Sequence, residues 1–135
     1  MTKTSSQKYT YAVGRRRSAV ATIRLFATKG ENIVNKLPVK TYFPGILAEV
    51  ALEKPFKLTE TSGKFHFEAK IIGGGKNGQL GALVLAISRS LVKFNEELKP
   101  VLRQNGLMTV DSRVRQRRMV GTGGKARRAK QSPKR

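Results

Sequence analysis

Alternating apolar and polar positions predict strands in the first quarter of the chain. Residues 9–26 are typical of a strand, a turn and a second strand, because the second half of this stretch places small and aliphatic side chains on one face: Ala19, Ala21, Ile23 and Leu25. Gly14 comes directly before three consecutive arginines, so the bend is expected there, with its guanidinium groups exposed. A further short strand is expected at residues 33–34, ended by Asn35 and Pro38.

The middle of the chain combines helical spacing with one clear strand. Residues 39–53 carry apolar groups at helical intervals after a Pro44-Gly45 break, which predicts one or two short helices limited by Pro55. In residues 65–71, Phe65, Phe67, Ala69 and Ile71 alternate with polar side chains, the period of a half-buried strand.

A glycine-rich stretch separates this strand from the longest predicted helix. Apolar residues recur at i, i+3, i+4, i+7, i+11 and i+14 from Leu80 to Phe94, the pattern of an amphipathic helix. Its polar side carries Gln79, Arg89 and Lys93, so the helix is expected to offer cations outward. A short helix at residues 100–104, stopped at Asn105-Gly106, and an extended apolar piece at 107–110 complete the ordered part.

The distribution of charge divides the chain into two regions. The whole sequence has 28 Lys and Arg against 8 Asp and Glu, a net charge of +20, which indicates a polyanionic partner. Asp111 is the last acidic residue, and residues 112–135 hold ten basic side chains. We therefore predict a globular domain over residues 1–111 and a basic tail over 112–135 that is disordered until it binds its partner.

Several classes of function find no support in the sequence. The 135 residues contain no cysteine and a single histidine, His66, so no thiolate site or histidine pair for a metal is available. No nucleophile elbow accompanies His66 and Asp111, so the sequence does not predict catalysis. The longest apolar run is too short for a membrane span, no secretory signal is visible, and a cytoplasmic protein is expected.

The stretch IIGGGKNGQLGA, residues 71–82, admits four interpretations. Gly73, Gly75 and Gly78 match the dinucleotide pattern G-x-G-x-x-G between a strand and a helix, but too little chain follows for repeated parallel units. A Walker loop requires lysine where Gln79 stands. A tight turn that needs positive φ accounts for the glycines, and a loop that touches nucleic-acid phosphate is the functional alternative.

The tail favours RNA as the polyanion. Arginine outnumbers lysine seven to three in residues 112–135, and arginine supports bidentate phosphate contacts and stacking. No helix-turn-helix, zinc finger or basic zipper pattern is present to read a DNA groove. The alternative class is a nucleotide-dependent enzyme that uses the glycine loop.

Four motifs follow one another along the chain: GRRRSAVATIRL at 14–25, GGGKNGQLGA at 73–82 followed by ISRSLV, LRQNGLMTVDSRV at 102–114, and the terminal GGKARRAKQSPKR. Together they resemble the universal S-nine family of small-subunit ribosomal proteins in its bacterial form. The resemblance implies an α+β fold with a mixed β-sheet and helices packed on one side. It also implies a likeness to the second domain of ribosomal protein five, including a left-handed βαβ crossover.

The resemblance further implies a structural, non-enzymatic role in the head of the small subunit. Its partners would be small-subunit rRNA, neighbouring head proteins and, through the tail, the anticodon stem of the peptidyl-site tRNA. It implies no cofactor, metal, small-molecule substrate or membrane, and a cytoplasmic ribosome, with an organellar one left open. The implied tRNA contacts are Lys130, Lys134 and Arg135. The implied rRNA contacts are Arg15, Arg16, Arg17, Gly74, Gly75, Lys76, Arg89, Arg113, Arg115, Arg117, Arg118, Lys125, Arg127 and Arg128.

One departure from the family pattern lies near the end of the tail. The family usually ends Gln-Phe-Ser-Lys-Arg, whereas Gln131 is followed here by Ser132 and Pro133. The aromatic residue of the family is therefore missing, and Pro133 stiffens the approach to the final two residues.

Overall fold

A computed structural model describes residues 8–123, 129 and 132–133. Some of the predicted contact residues fall outside this part of the chain, and their predictions are not tested by the structure: Lys125, Arg127, Arg128, Lys130, Lys134 and Arg135. All the remaining predicted sites lie within it.

Five strands form one mixed sheet in the order β1-β2-β5-β3-β4. All neighbouring strands are antiparallel except β3 and β5, which are parallel. The strands are β1 (Tyr9–Arg16), β2 (Ala19–Phe26), β3 (Ile33–Val34), β4 (Leu37–Pro38) and β5 (His66–Ile72). The predicted α+β class with a mixed sheet is confirmed.

Four α-helices and one 3-10 helix accompany the sheet in the described residues. They are α1 (Val39–Tyr42), α2 (Ile46–Leu58), α3 (Lys76–Phe94), the 3-10 helix Glu96–Leu98, and α4 (Lys99–Gln104). The chain passes from β3 to its parallel neighbour β5 through β4, α1 and α2. The left-handed sense of this crossover remains an expectation from the resemblance.

The core lies between one face of the sheet and the helices. Ile23 of β2 and Phe67 of β5 are buried against Leu83, Ile87 and Leu91 of α3. The opposite face of the sheet presents exposed polar side chains: Arg24, Glu68 and Lys70. The alternation of residues in β2 and β5 therefore assigns the two faces as predicted.

Two expectations about glycine and proline were wrong. The bend between β1 and β2 is formed by Arg17 and Ser18, while Gly14 is buried inside β1. A Cβ atom on Gly14 would lie 2.0 Å from the carbonyl oxygen of Ala82 in α3, so this glycine serves the approach of a helix to a strand. Pro55 does not limit α2, which contains it and continues to Leu58.

Most of the large apolar side chains in the first two turns of α2 are exposed, unlike those of a helix that packs on a core. The predicted helix is confirmed, but Ile46, Leu47 and Val50 are 78%, 87% and 54% exposed. Only Leu52 and Pro55 of this helix are buried. An apolar ridge on the surface is the result.

Candidate nucleic-acid interface

Three segments that are distant in sequence meet near the start of α3. They are the arginine turn (residues 15–18), the glycine loop (residues 73–75) and the tail root (residues 111–113). A Cβ atom on Gly73 would lie 2.7 Å from the carbonyl oxygen of Ser18, and one on Gly74 would lie 2.9 Å from the Cβ atom of Ala19. The glycine loop therefore packs directly on the arginine turn.

The glycine loop owes its shape to two residues in the left-handed region. Gly73 and Gly74 have φ angles of 73° and 68°, which residues with a Cβ atom adopt at a cost. Gly75 is exposed, has an ordinary φ of −91° and precedes the first helical residue of α3. Gly78, the last glycine of the dinucleotide pattern, is buried in α3 beside the carbonyl oxygen of Arg16. Turn geometry and close packing explain these glycines without a bound dinucleotide.

The sheet topology also disagrees with a dinucleotide fold. That fold requires successive parallel strands joined by helices. Here β5, the strand before the glycine loop, has antiparallel β2 on one side, and no strand follows α3 in the described residues. The nucleotide-enzyme interpretation loses its structural basis.

A polar network holds the glycine loop from the side of α1. The Tyr42 hydroxyl donates to the Gln79 side-chain oxygen at 2.9 Å, and the Gln79 amide donates to the Gly73 carbonyl at 3.0 Å. The Asn35 side chain brackets Ile71 by accepting from its N–H at 2.9 Å and donating to its carbonyl at 3.0 Å. Sequence reasoning missed this role of Gln79, because partners 37 residues apart leave no local signal.

Lys76 lies at the entrance to α3 and folds back towards α1. Its ammonium group is 3.5 Å from the centroid of the Tyr42 ring and donates to the Tyr42 carbonyl at 3.1 Å. This cation–π contact fixes a charged group beside the loop while leaving the residue exposed.

Arg16 connects the arginine turn to the tail root. Its guanidinium donates to the Arg113 carbonyl at 2.8 Å and lies 3.3 Å from a carboxylate oxygen of Asp111. The side chain is only 19% exposed and crosses α3 at Gly81, where a Cβ atom would approach it to 3.2 Å. Of the three arginines predicted to be exposed, Arg15 and Arg17 are exposed and Arg16 fastens the tail to the domain.

The acid at the tail root is ionised over the ordinary pH range. The Arg113 side chain donates to both carboxylate oxygens of Asp111, at 2.9 and 2.7 Å. These hydrogen bonds hold the pKa of Asp111 well below its usual range, and the same contacts raise the pKa of Arg113. A carboxyl whose pKa is lowered by folding stabilises the fold above its unfolded pKa, about 3.9, and loses this effect only as pH falls through the folded value. The tail root is therefore tied at neutral and mildly acidic pH.

Arg89 and Lys93, which were predicted to face outward, both hydrogen-bond to β1; Lys93 is exposed and Arg89 is half-buried. Arg89 donates to the Val13 carbonyl and Lys93 to the Tyr11 carbonyl, each at 2.8 Å. Both acceptors belong to β1, the edge strand, whose outer carbonyl groups face no neighbouring strand within the described part of the chain. Sequence periodicity places these cations on the polar side of α3 but cannot show that the sheet edge reaches them. An rRNA contact of Arg89 stays a prediction.

The described part of the tail continues from this site without a helix or strand. It exposes four arginines: Arg113, Arg115, Arg117 and Arg118.

His66, which was expected to face solvent or phosphate, is instead half-buried, with its ring stacked on Phe26 at a centroid distance of 4.9 Å.

Two kinds of feature are absent from the described ranges, residues 8–123, 129 and 132–133. These ranges contain no cluster of three or more His, Cys, Asp or Glu side chains that could hold a metal ion. None of their helices is both long and apolar enough to cross a membrane.

Comparison with known proteins gives a consistent set of relatives. The family model for "Ribosomal protein S9/S16" matches residues 14–135. The chain is 43% identical over 123 residues to "Small ribosomal subunit protein uS9" of Ureaplasma parvum serovar 3, covering 91% of this chain and 92% of that protein. It is 40% identical over 119 residues to the uS9 protein of Maridesulfovibrio salexigens, covering 88% and 92%. A third uS9 protein, from Ureaplasma urealyticum serovar 10, is 42% identical over 123 residues.

Proposed function

Because this chain belongs to the ribosomal protein S9/S16 family, we propose that its arginine turn, glycine loop and tail root form the surface that anchors it on rRNA. Membership makes the chain a structural, non-enzymatic component of the small ribosomal subunit that binds rRNA. Family membership does not give the position of this surface or the contacts of the tail, and these two points are what we propose.

The convergence of the three segments is the observation that carries the proposal. Arg15 and Arg17 are exposed beside the exposed glycine loop, where the Cβ position of Gly75 faces open space and leaves room for a phosphate backbone. The first turn of α3 adds backbone N–H groups that have no partner within the helix, a recurrent phosphate-binding arrangement. The acid at the tail root, Asp111, is already paired with Arg113, so its electrostatic repulsion of a phosphate backbone is weak. Positive charge and access to the backbone thus coincide at one surface.

The tail extends this surface by ten cations and no acid. We propose that it orders on rRNA and that its last basic residues, Lys130, Lys134 and Arg135, contact the anticodon stem of the peptidyl-site tRNA. We also place the protein in the subunit head, on cytoplasmic ribosomes, next to other head proteins. The support is the retained terminal Lys-Arg pair and the match of the family over residues 14–135.

The anchoring surface is tested by removing two of its charges. The double variant Arg15→Ala and Arg17→Ala is expected to bind a small-subunit head rRNA fragment with a log–log salt slope reduced by about 1.5, since each lost phosphate contact removes about 0.7 to 0.9. Affinity is measured by fluorescence anisotropy across a salt series.

A matched control removes the same charge elsewhere. Lys54 in α2 and Lys64, at the opposite end of β5 from the glycine loop, are exposed, and their double alanine variant should leave the slope nearly unchanged. Equal slopes for the two double variants would mean that charge alone, and no localised surface, determines binding.

The tRNA contact is tested by deleting residues 130–135 in reconstituted small subunits. Folding and incorporation into subunits are expected to be nearly unchanged, while retention of peptidyl-site tRNA falls several-fold because three of its cations are gone. A full-length variant with glutamine at these three positions separates charge from chain length. Loss of incorporation on this deletion would instead make the tail end an rRNA anchor.

A further inference from the structure

An apolar pocket lies beside α2, on a part of the surface that the proposed rRNA anchor does not use. Its volume is about 540 Å³. Phe43, Leu52 and Phe67, all buried, contribute to its lining together with half-buried Phe56. None of these residues belongs to the arginine turn, the glycine loop or the tail root.

The pocket continues into the exposed ridge of α2. Ile46 lines the pocket and is 78% exposed, and Leu47 and Val50 follow on the same helix at 87% and 54%. Three large aliphatic side chains in two turns of an exposed helix leave apolar area in water that a partner would cover favourably. Pocket and ridge together form the α2 surface.

The charges around the α2 surface have the opposite balance to the rest of the chain. Three acids line the pocket, Glu31, Glu49 and Glu53, against one base, Lys40. Lys40 pairs with Glu49 at 3.2 Å, and Lys57, on the next turn of α2, pairs with Glu53 at 2.7 Å. An excess of acid in the lining is notable in a protein with a net charge of +20.

This chemistry discriminates between classes of partner. An RNA backbone would cover the aliphatic groups of the α2 surface with charge, and it would find no excess of cations there, since Lys40 and Lys57 are paired with Glu49 and Glu53. A second copy of this chain would bring two bodies of charge +20 together. A basic protein segment that carries an apolar side chain fits both features, since the apolar group can enter the pocket and the basic groups can lie near its acids.

We propose that the α2 surface docks a segment of another small-subunit protein that inserts an apolar side chain flanked by lysine or arginine. The inference rests on the proposed function insofar as it assumes a place in the assembled subunit. It assigns protein contacts to the α2 surface and rRNA contacts to the arginine turn, the glycine loop and the tail root.

The test uses two photo-reactive variants in reconstituted, purified small subunits. Benzoylphenylalanine replaces Leu47 in one variant and Ile72 in the other. Ile72 is 61% exposed at the end of β5 next to the glycine loop, so it serves as the matched site on the rRNA-facing surface. After irradiation, the Leu47 variant should cross-link to one small-subunit protein, at a segment with an apolar residue flanked by basic ones, and the Ile72 variant to rRNA.

The outcomes separate the two proposals. Cross-linking from Leu47 to rRNA, to a second copy of this chain, or to nothing would overturn the inference, whatever Ile72 contacts. Cross-linking from Leu47 to the expected segment while Ile72 fails to reach rRNA would support the inference and count against the rRNA anchor.

A charge variant adds a second readout. Replacing Glu49 and Glu53 with lysine, both exposed and therefore tolerated by the fold, should lower the protein cross-link from Leu47 about tenfold and leave the rRNA cross-link from Ile72 unchanged. An undiminished protein cross-link would contradict the proposed basic partner.

Discussion

Replacing Gly14 with alanine is expected to lower the free energy of unfolding by about 3 kcal/mol, the upper part of the usual range for overpacking. The added Cβ atom would lie 2.0 Å from the Ala82 carbonyl oxygen and 2.6 Å from the Ala86 nitrogen, both backbone atoms of α3. A helix backbone cannot move away without opening the core that α3 forms with β1 and β2. Urea unfolding of the purified protein measures the change.

Gly75→Ala is the matched control for this prediction. Gly75 has a φ of −91° and open space around its Cβ position, so an alanine there meets neither strain nor contact. Its only cost is a less favourable residue before the first turn of α3, within about 1 kcal/mol. Similar losses for Gly14→Ala and Gly75→Ala would contradict the close packing of β1 on α3.

Deleting residues 115–135 is expected to reduce rRNA affinity on the order of a thousandfold. The deletion removes nine of the ten tail cations and retains the tail root, in which Arg16 binds Asp111 and Arg113. With about 0.7 of log–log slope per phosphate contact on single-stranded RNA, the salt slope should fall by about six. Titration of a head rRNA fragment across a salt series measures both quantities.

A full-length chain with glutamine at the nine positions distinguishes charge from ordering. If phosphate neutralisation carries the tail's contribution, this variant should match the deletion. A slope that stays near that of the unaltered chain in either variant would mean that the tail contributes little to rRNA binding, contrary to the proposal. The unfolding free energy of the domain should be nearly the same in both, because the tail root is intact.

Sequence periodicity predicted the elements that carry the domain. The alternation in residues 65–71 gave β5 with its buried face, and the helical spacing from Leu80 gave α3, which begins slightly earlier, at Lys76. Both patterns are set by burial within a single element, so local sequence contains them. The two-residue strand β4 and the 3-10 helix were missed, because so few residues establish no period.

The residues of the candidate site could be predicted from the sequence, but the contacts between them could not. The arginines and glycines stand out in the sequence, but their meeting requires the β1-β2-β5 order, which brings the start of β2 beside the end of β5. The sequence gives no signal that Arg16 is half-buried and binds the tail root while its neighbours Arg15 and Arg17 are exposed. Long-range pairs decide these roles, and a single sequence does not reveal such pairs.

The hydrogen bonds from Arg89 and Lys93 to β1 bear on the protein before it is assembled. A strand at the edge of a sheet offers carbonyl groups to any other extended chain, and this is a common route to aggregation. Two cations occupy the Tyr11 and Val13 carbonyls of this edge and place positive charge along it. A second copy would bring the same two cations against this edge, so charge repulsion opposes the pairing of two β1 strands.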